Sequence, residues 1–492
     1  MSGKGLERSQ ADLKPRMPTL IYGIKPCYSR HMTQQPQKTS KRLSRRTVLL
    51  SALSALVLSI LANGYFYSLE GARGLYVWHP VVALKILLFM GLGPISLAIL
   101  ALPLEKLAQK WIMRVLRWIS FVGSILVSLV SIGMLAFLIV VPRLGSMDPV
   151  HLNLVDPSQG IVTQSLQPEA TFSAGADSTT GTPSGVIMGA PGSGTAQASG
   201  AAPAALATTT ASSTAPLSPL DRPLLRLAFS SDPHWGADTA NASARTDVLK
   251  GIEASRPDAF FMLGDTVETG NSATQWNLAL LDLEAFVSDV PLRLLLGNHD
   301  AFFGGQYLYR KAFFPQGFSS DSGSPYYWSI DAGPATIVAV DLPWGTEMFG
   351  ARQKAWLEKT LAAADPRKPL IVISHSYFYA SGYKDPKTGV PWYDHYQNIP
   401  ALVPLFEKYG VDLVISGHNH YQELLSHNGV NYAIVGSMGG IPDPEPSYRS
   451  PWSKWINAGG YGWLDVDVLP GRLLLTFRSE TGETRQSATI FY

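Results

Sequence analysis

At 492 residues and 46% hydrophobic side chains, the chain is too long for one hydrophobic core. A formal net charge of +2 gives no nucleic-acid-binding signature, yet the charge is unevenly placed. Residues 1–46 hold eleven Lys and Arg against Glu7 and Asp12, whereas neither type occurs between Arg143 and Arg222. The first stretch lacks apolar periodicity and reads as a disordered, basic cytoplasmic tail. A start at Met32 would instead make Lys38 to Arg46 a compact basic region before the first apolar run.

Three segments have the length and apolarity of membrane spans. Residues 47–69 and 118–141 carry no charge; residues 75–103 are apolar apart from Lys85 and are interrupted by Pro80 and Pro94. Lys85 lies near one end, where it can snorkel to the interface. Charge-free runs of about 20 residues seldom occur in soluble cores, so residues 47–143 are expected to be an anchor of three transmembrane helices. The tail and the connection holding Lys106, Lys110, Arg114 and Arg117 are basic, while that around Glu70 and Arg73 is nearly neutral. Positive connections stay inside, which places everything after Arg143 outside the cytoplasmic membrane. Ser44-Arg45-Arg46-Thr47-Val48-Leu49 also resembles a twin-arginine export signal, but two further spans favour a retained anchor.

Residues 144–222 become rich in Ala, Ser, Thr, Gly and Pro and read as a disordered linker. A coil of that length reaches roughly 50 Å. His151 to Leu166 keeps some apolar residues, which leaves local packing open. Residues 223–492 have the size of an α/β domain, and the sole cysteine, Cys27, lies far outside it. Helical patterns near 243–255, 275–288, 350–364 and 397–409 alternate with strands. From Asn431 the pattern is strand-only, at 431–436, 461–468, 471–478 and 485–491. Alternation followed by a run of strands implies two packed sheets flanked by helices.

Five apolar, strand-like runs in this domain each end in a polar tip. The tips are Asp232-Pro233-His234, Gly264-Asp265, Gly297-Asn298-His299-Asp300, His375 and Gly417-His418-Asn419-His420. One such tip is ordinary turn chemistry. Five in succession are not, because ligands of open α/β sheets bind outside the carboxyl ends of the strands, where these tips would pool. Five of the domain's seven histidines occupy them; His395 and His427 read as surface or hydrogen-bonded side chains. Carboxylate, imidazole and amide donors suit borderline divalent ions such as Mn, Fe, Zn or Co, and not a thiolate-selected ion.

In order and spacing, these tips resemble the five motifs of the calcineurin-like metallophosphoesterases, over residues 226–440. The resemblance implies a four-layer α/β/β/α sandwich of two mixed sheets. It implies two divalent metal ions, one held by Asp232, His234, Asp265 and His420, the other by Asp265, Asn298, His375 and His418, with Asp265 bridging. The implied reaction is hydrolysis of phosphate mono- or diesters by a metal-bridging hydroxide. Two cations about 3.5–4 Å apart lower the pKa of the water between them and clamp the phosphoryl oxygens. His299, with no ligand role, is implied as general acid or as support for transition-state charge. The family's protein phosphatases pair this histidine with an acid three residues after the bridging Asp. That position is Glu268, the expected orienter of His299, with Asp300 as competitor.

Departures narrow the class. Purple acid phosphatases place a tyrosine ligand where Glu268 stands, so a tyrosinate colour is not expected. Thr269 replaces the arginine with which the protein phosphatases grip phosphate, which argues against a phosphoprotein substrate. Phe302, Phe303 and the segment from Tyr377 to Tyr396 could cap the site and select substrate, but aromatic residues are more often core, and both readings stay open. The whole chain is thus expected to be a membrane-tethered phosphoesterase acting on a phosphorylated small molecule or envelope substrate. Alternatives are an extracytoplasmic nucleotide or cyclic-nucleotide phosphodiesterase, or an idle membrane sensor for phosphorylated ligands. The full ligand set and His299 disfavour the sensor, since a binder needs no general acid.

Overall fold

The computed structural model describes residues 43–78, 92–102, 109–161 and 221–492, apart from 315–316, 348, 385–386, 390 and 392–396. The expected basic tail with Cys27 and Met32, the centre of the second expected span, most of the linker and His395 lie outside these residues.

Three helices open the described chain: α1 (Arg45–Trp78), α2 (Gly93–Leu100) and α3 (Lys110–Leu144). Within them, Arg45–Tyr65 and Lys110–Val141 are long and apolar enough to cross a membrane. Among the described residues, the middle span expected at 75–103 is represented by the end of α1 and by α2, and α1 continues as helix beyond the expected end of the first span. The helices pack together, with Ser120 Oγ donating to the Leu97 carbonyl at 2.7 Å. Outward side chains such as Leu50, Ile60 and Leu129 stay more than half exposed, an apolar surface that no part of the described chain covers.

The following domain has two mixed sheets. In the first, β1 (Leu225–Ser230), β2 (Ala259–Met262) and β3 (Leu292–Leu294) run parallel. Against β1 lies an antiparallel meander of the last three strands, Gly462–Leu469, Arg472–Ser479 and Thr484–Phe491. In the second, Thr336–Ala339, Leu370–Ser374, Leu413–Ser416 and Val430–Val435 are successive parallel neighbours. Trp328–Asp331 edges that sheet on one side, Gln422–His427 and Ser453–Asn457 on the other.

Period-two alternation in strands buried on both faces builds the layers. Leu227, Phe229 and Phe261 of the first sheet meet Ile337, Ile371, Ile373, Leu413 and Ile415 of the second in one core. Their alternates, Ala228, Phe260 and Met262, face the helices Ala242–Ser255 and Ala273–Val287. Val338, Val372 and Val414 face the helices Ala351–Ala363 and Asn398–Tyr409. The result is the expected α/β/β/α sandwich. Asn241 and Ser272 cap the first two of these helices, accepting from the amides of Ala244 and Gln275.

The start of the expected linker is corrected. Residues 145–161 run along the domain as a strap, not as free coil. Asn277 Nδ2 donates to the Ser146 carbonyl at 3.1 Å, and the His151 amide donates to Glu284 Oε1 at 2.7 Å. Leu154 then pairs in parallel with Leu292, extending the first sheet beyond β3. Val155 is only 6% exposed, inside the core between the sheets. The physical reason is the open edge of β3, whose unpaired backbone groups and apolar flank accept one more strand.

Candidate metal centre

The strand ends deliver their polar tips through strained turns. Seven non-glycine residues among those described have positive φ, and four are expected ligands: Asp232, His234, Asp265 and His418. Left-handed backbone is unfavourable for such residues and concentrates at functional sites. Glycines let the loops close together. A Cβ on Gly297 would stand 2.1 Å from the Asp265 amide nitrogen, and one on Gly417 would stand 2.0 Å from Ser231 Oγ.

Two groups of donor atoms result, sharing one carboxylate. In the first, Asp232 Oδ1 lies 3.3 Å from His420 Nε2 and 3.8 Å from His234 Nε2, and His234 Nε2 lies 3.8 Å from Asp265 Oδ2. In the second, His375 Nε2 lies 3.4 Å from Asp265 Oδ1 and 2.9 Å from Asn298 Oδ1, while His418 Nδ1 lies 3.0 Å from the same Asn298 oxygen. All seven expected ligands are therefore brought together, and the oxygens of Asp265 face opposite groups. An ion with bonds of about 2.0–2.2 Å sets neighbouring ligand atoms roughly 3.0–3.5 Å apart, which these spacings approach. Asp232 Oδ1 and His234 Nε2 are buried with no hydrogen-bond partner, so the pocket between them calls for a cation. The residues fit a pair of divalent ions.

The remaining ring nitrogens are committed outward. His234 Nδ1 donates to Glu268 Oε2 at 2.9 Å, His375 Nδ1 to the Leu263 carbonyl at 2.8 Å, and His420 Nδ1 to the Ile441 carbonyl at 2.6 Å. Such outer bonds fix each ring and its tautomer. Burial opposes charge on His234, yet Asp232, Glu268 and Asp265 outweigh it and push its pKa up to about 10. The same opposition at His375 is overcome chiefly by Asp265, with a pKa of about 9. Asp232 and Asp265, though buried, are held below the usual carboxylate range by the imidazoles around them.

His299 joins the centre without joining the donor groups. Its Nε2 lies 4.0 Å from Asp265 Oδ2, its ring stands edge-on to His234 at 4.5 Å, and burial holds its pKa below the ordinary value. Its Nδ1 donates to the main-chain carbonyl of Glu268 at 2.8 Å, while the Glu268 carboxylate is 3.5 Å away. The side chain of Glu268 therefore serves His234 first, and only its backbone orients His299. Glu268, His234 and His299 also approach one another closely enough to hold an ion. The atoms concerned are Nδ1 nitrogens already engaged in hydrogen bonds, so this is a bonding network and not a third metal group.

Asp300 is a second correction. Its oxygens accept from the amides of Val267 and Gly297, each at 3.0 Å, and burial followed by the charge of Asp265 pushes its pKa to about 7. It locks two loops and points at neither His299 nor the donor groups. No motif singled out Asp443, which accepts from the His420 amide at 2.8 Å, or Ser437, whose hydroxyl holds the Asp232 carbonyl.

A cavity of about 530 Å3 opens beside His418 and His420, lined by Tyr377, Tyr383, Lys384 and Tyr421 among others. Tyr377 and Tyr383, from the segment weighed as a cap, thus line this cavity. Phe302 and Phe303 lie instead toward Trp344 and Phe137. His427 stacks on Trp452, 4.0 Å between ring centres, as a packed surface histidine.

Residues 225–422 match the family model of the calcineurin-like phosphoesterases. Among curated proteins it is similar to "Probable inactive purple acid phosphatase 27" of Arabidopsis thaliana, 24% identical over 48% of this chain and 43% of that protein. It is also 30% identical to the "Fe(3+)-Zn(2+) purple acid phosphatase 12" of the same plant, over 29% of each chain. The chain therefore spans less than half the length of the curated relatives it matches. Among solved structures, the purple acid phosphatase PPD1 of yellow lupin (Lupinus luteus) shares 20% identity with a TM-score of 0.46, over 54% of this chain and 53% of that one.

Proposed function

We propose that the chain is a membrane-tethered phosphoester hydrolase with two divalent ions. One would be held by Asp232, His234, Asp265 and His420, the other by Asp265, Asn298, His375 and His418. The observation that carries this reading is the single carboxylate of Asp265 facing both donor groups, 3.8 Å from His234 on one side and 3.4 Å from His375 on the other. The donor set suits Mn, Fe, Zn or Co. When bound, the ions supply Lewis acidity to the phosphoryl oxygens and to water. The chain's own residues do the rest. Asp265 keeps the donor groups in register, and Asp232 ties the loop of His418 by accepting its amide at 2.9 Å. His299, fixed through Nδ1, presents Nε2 beside the centre; in its imidazolium form, the minor one near neutral pH because burial lowers its pKa, it is the group able to hand a proton to a leaving alkoxide.

The anchor belongs to the same proposal. Two long apolar helices lead into the domain, and the Lys/Arg bias supports a domain outside the cytoplasmic membrane. Asp265→Asn is the direct test. Metal analysis should find both ions lost or depleted together, with hydrolysis of aryl phosphoesters abolished. Two ions per chain and near-normal turnover in that variant would refute the shared-carboxylate reading.

A further inference from the structure

Resting on that hydrolase reading, we propose that the substrate is a phosphoester carried by a membrane lipid, reached while the lipid remains in the bilayer. The first observation is the placement of the anchor's end. The apolar stretch of α3 runs over 32 residues to Val141. Its charge-free part, residues 118–141, measures about 36 Å at 1.5 Å per residue, close to the roughly 30 Å of hydrocarbon in a bilayer, so its end lies at the membrane surface. Phe137, still within this stretch, packs edge-on against Phe303 at 5.5 Å, and Phe303 in turn packs on Phe302, three residues beyond His299. One turn and a half further along, the Arg143 guanidinium covers the Tyr307 ring at 5.0 Å, and Lys311 Nζ donates to the Gly145 carbonyl at 2.6 Å. The segment following the catalytic histidine is thereby fastened to the lipid-length helix itself.

The second observation is the absence of slack. From Ser146 the chain is bonded to the domain, and by Val155 it is inside the core. The domain cannot swing away from the end of α3. Meanwhile Leu144 remains 77% exposed, and Phe137, Val140 and Val141 remain more than a third exposed. A bilayer that covers them brings its surface to the level of Phe302–Phe313.

The third observation is the chemistry of the cavity. Tyrosines 377, 383 and 421 line it together with Lys384, His418 and His420. Tyr383 is 47% exposed, and Ile441, whose carbonyl holds His420, is 55% exposed. One lysine set among three tyrosines, with Asp443 the carboxylate of the lining and an exposed apolar neighbour in Ile441, suits a phosphorylated amphiphile better than a fully hydrated small ester. In the reaction a water oxygen joins phosphorus, the bond from phosphorus to the leaving oxygen breaks, and a proton passes to that oxygen. Nothing is oxidised or reduced.

The test uses the full chain reconstituted with its metals into phosphatidylcholine vesicles. The lipid probes are phosphatidate, a monoester, and phosphatidylglycerol, a diester. Each is compared with its short-chain, water-soluble counterpart at equal concentration, and nitrophenyl phosphate and bis-nitrophenyl phosphate report the basal hydrolase. At least one long-chain probe should be cleaved about tenfold faster than its short-chain partner, the scale of one buried apolar anchor. Equal rates, or hydrolysis of the nitrophenyl esters alone, overturn the proposal. No metal-dependent hydrolysis of any probe sinks the hydrolase reading and this proposal with it. Phe137→Ala combined with Arg143→Ala removes both ring contacts at the end of α3. It should lower long-chain cleavage about tenfold while sparing the nitrophenyl esters. Equal loss on both kinds of substrate would overturn it.

Discussion

At Asp265 one carboxylate faces two sets of imidazoles, and without metal one ring in each set, His234 and His375, favours its protonated form. The pKa of His234 rises to about 10 and that of His375 to about 9, in each case because carboxylates outweigh the opposing effect of burial. A metal ion must displace these protons. Affinity should therefore climb as pH rises toward about 9–10, and metal uptake at neutral pH should release protons into the buffer. Burial favours the protonated form of Glu268, but its hydrogen bond from His234 and the neighbouring His299 bring its pKa below the ordinary value. Replacing Glu268 by Gln removes charge behind His234 and should weaken metal binding about 10–100-fold, read by titration calorimetry. His299→Ala should leave that affinity unchanged and lower turnover by about 10²–10⁴, most for poor leaving groups. If Glu268→Gln instead copied the leaving-group trend of His299→Ala with metal affinity intact, its carboxylate would serve His299 after all. Sequence showed which side chains gather, because each follows an apolar strand. It could not show that the Glu268 carboxylate bonds His234 while only its carbonyl bonds His299, since a fraction of an ångström between two loops decides the matter.

At the level of elements, the alternating helices and strands were legible because their apolar runs are long and bounded by turns. Less visible were the short strands Trp328–Asp331 and Thr336–Ala339 and the helix Gln306–Phe313. Each is too short for its periodicity to stand clear of chance. The strap had a signal that composition concealed. Val150, Leu152 and Leu154 alternate with period two, but they stand at the head of a long Ala/Ser/Thr/Gly/Pro stretch. The strap predicts that a soluble domain begun at residue 223 is weaker than one begun at Gly145. Loss of Val155 and Leu154 from the edge of β3 should cost about 2–3 kcal/mol, seen as an earlier midpoint in denaturant. Identical midpoints would show the strap to be an ornament of the fold.

For the whole molecule, the anchor and the domain make one statement about position. α1 and α3 carry basic residues at their starts, Arg45 and Arg46 in one and Lys110, Arg114 and Arg117 in the other, and α3 packs against the domain toward its far end, through Phe137 and Arg143. A reporter active only outside the cytoplasm should work when joined after Gly145 and fail when joined after Lys110. The opposite pattern would put the domain inside and make cytoplasmic nucleotides the leading substrates.

The left-handed backbone at Asp232, His234, Asp265 and His418 sets catalysis against folding. Each such residue is disfavoured by roughly 1 kcal/mol relative to one at ease there. Glycine would relieve that strain while abolishing the donor, and asparagine at the aspartates would relieve it while surrendering the charge. The backbone of the metal-free sandwich therefore relaxes as its site is erased, against the loss of the bonds that Asp232 and His234 make to the His418 amide and to Glu268. A lineage released from the need to hydrolyse anything would drift first at these four positions, and its architecture would outlive its chemistry.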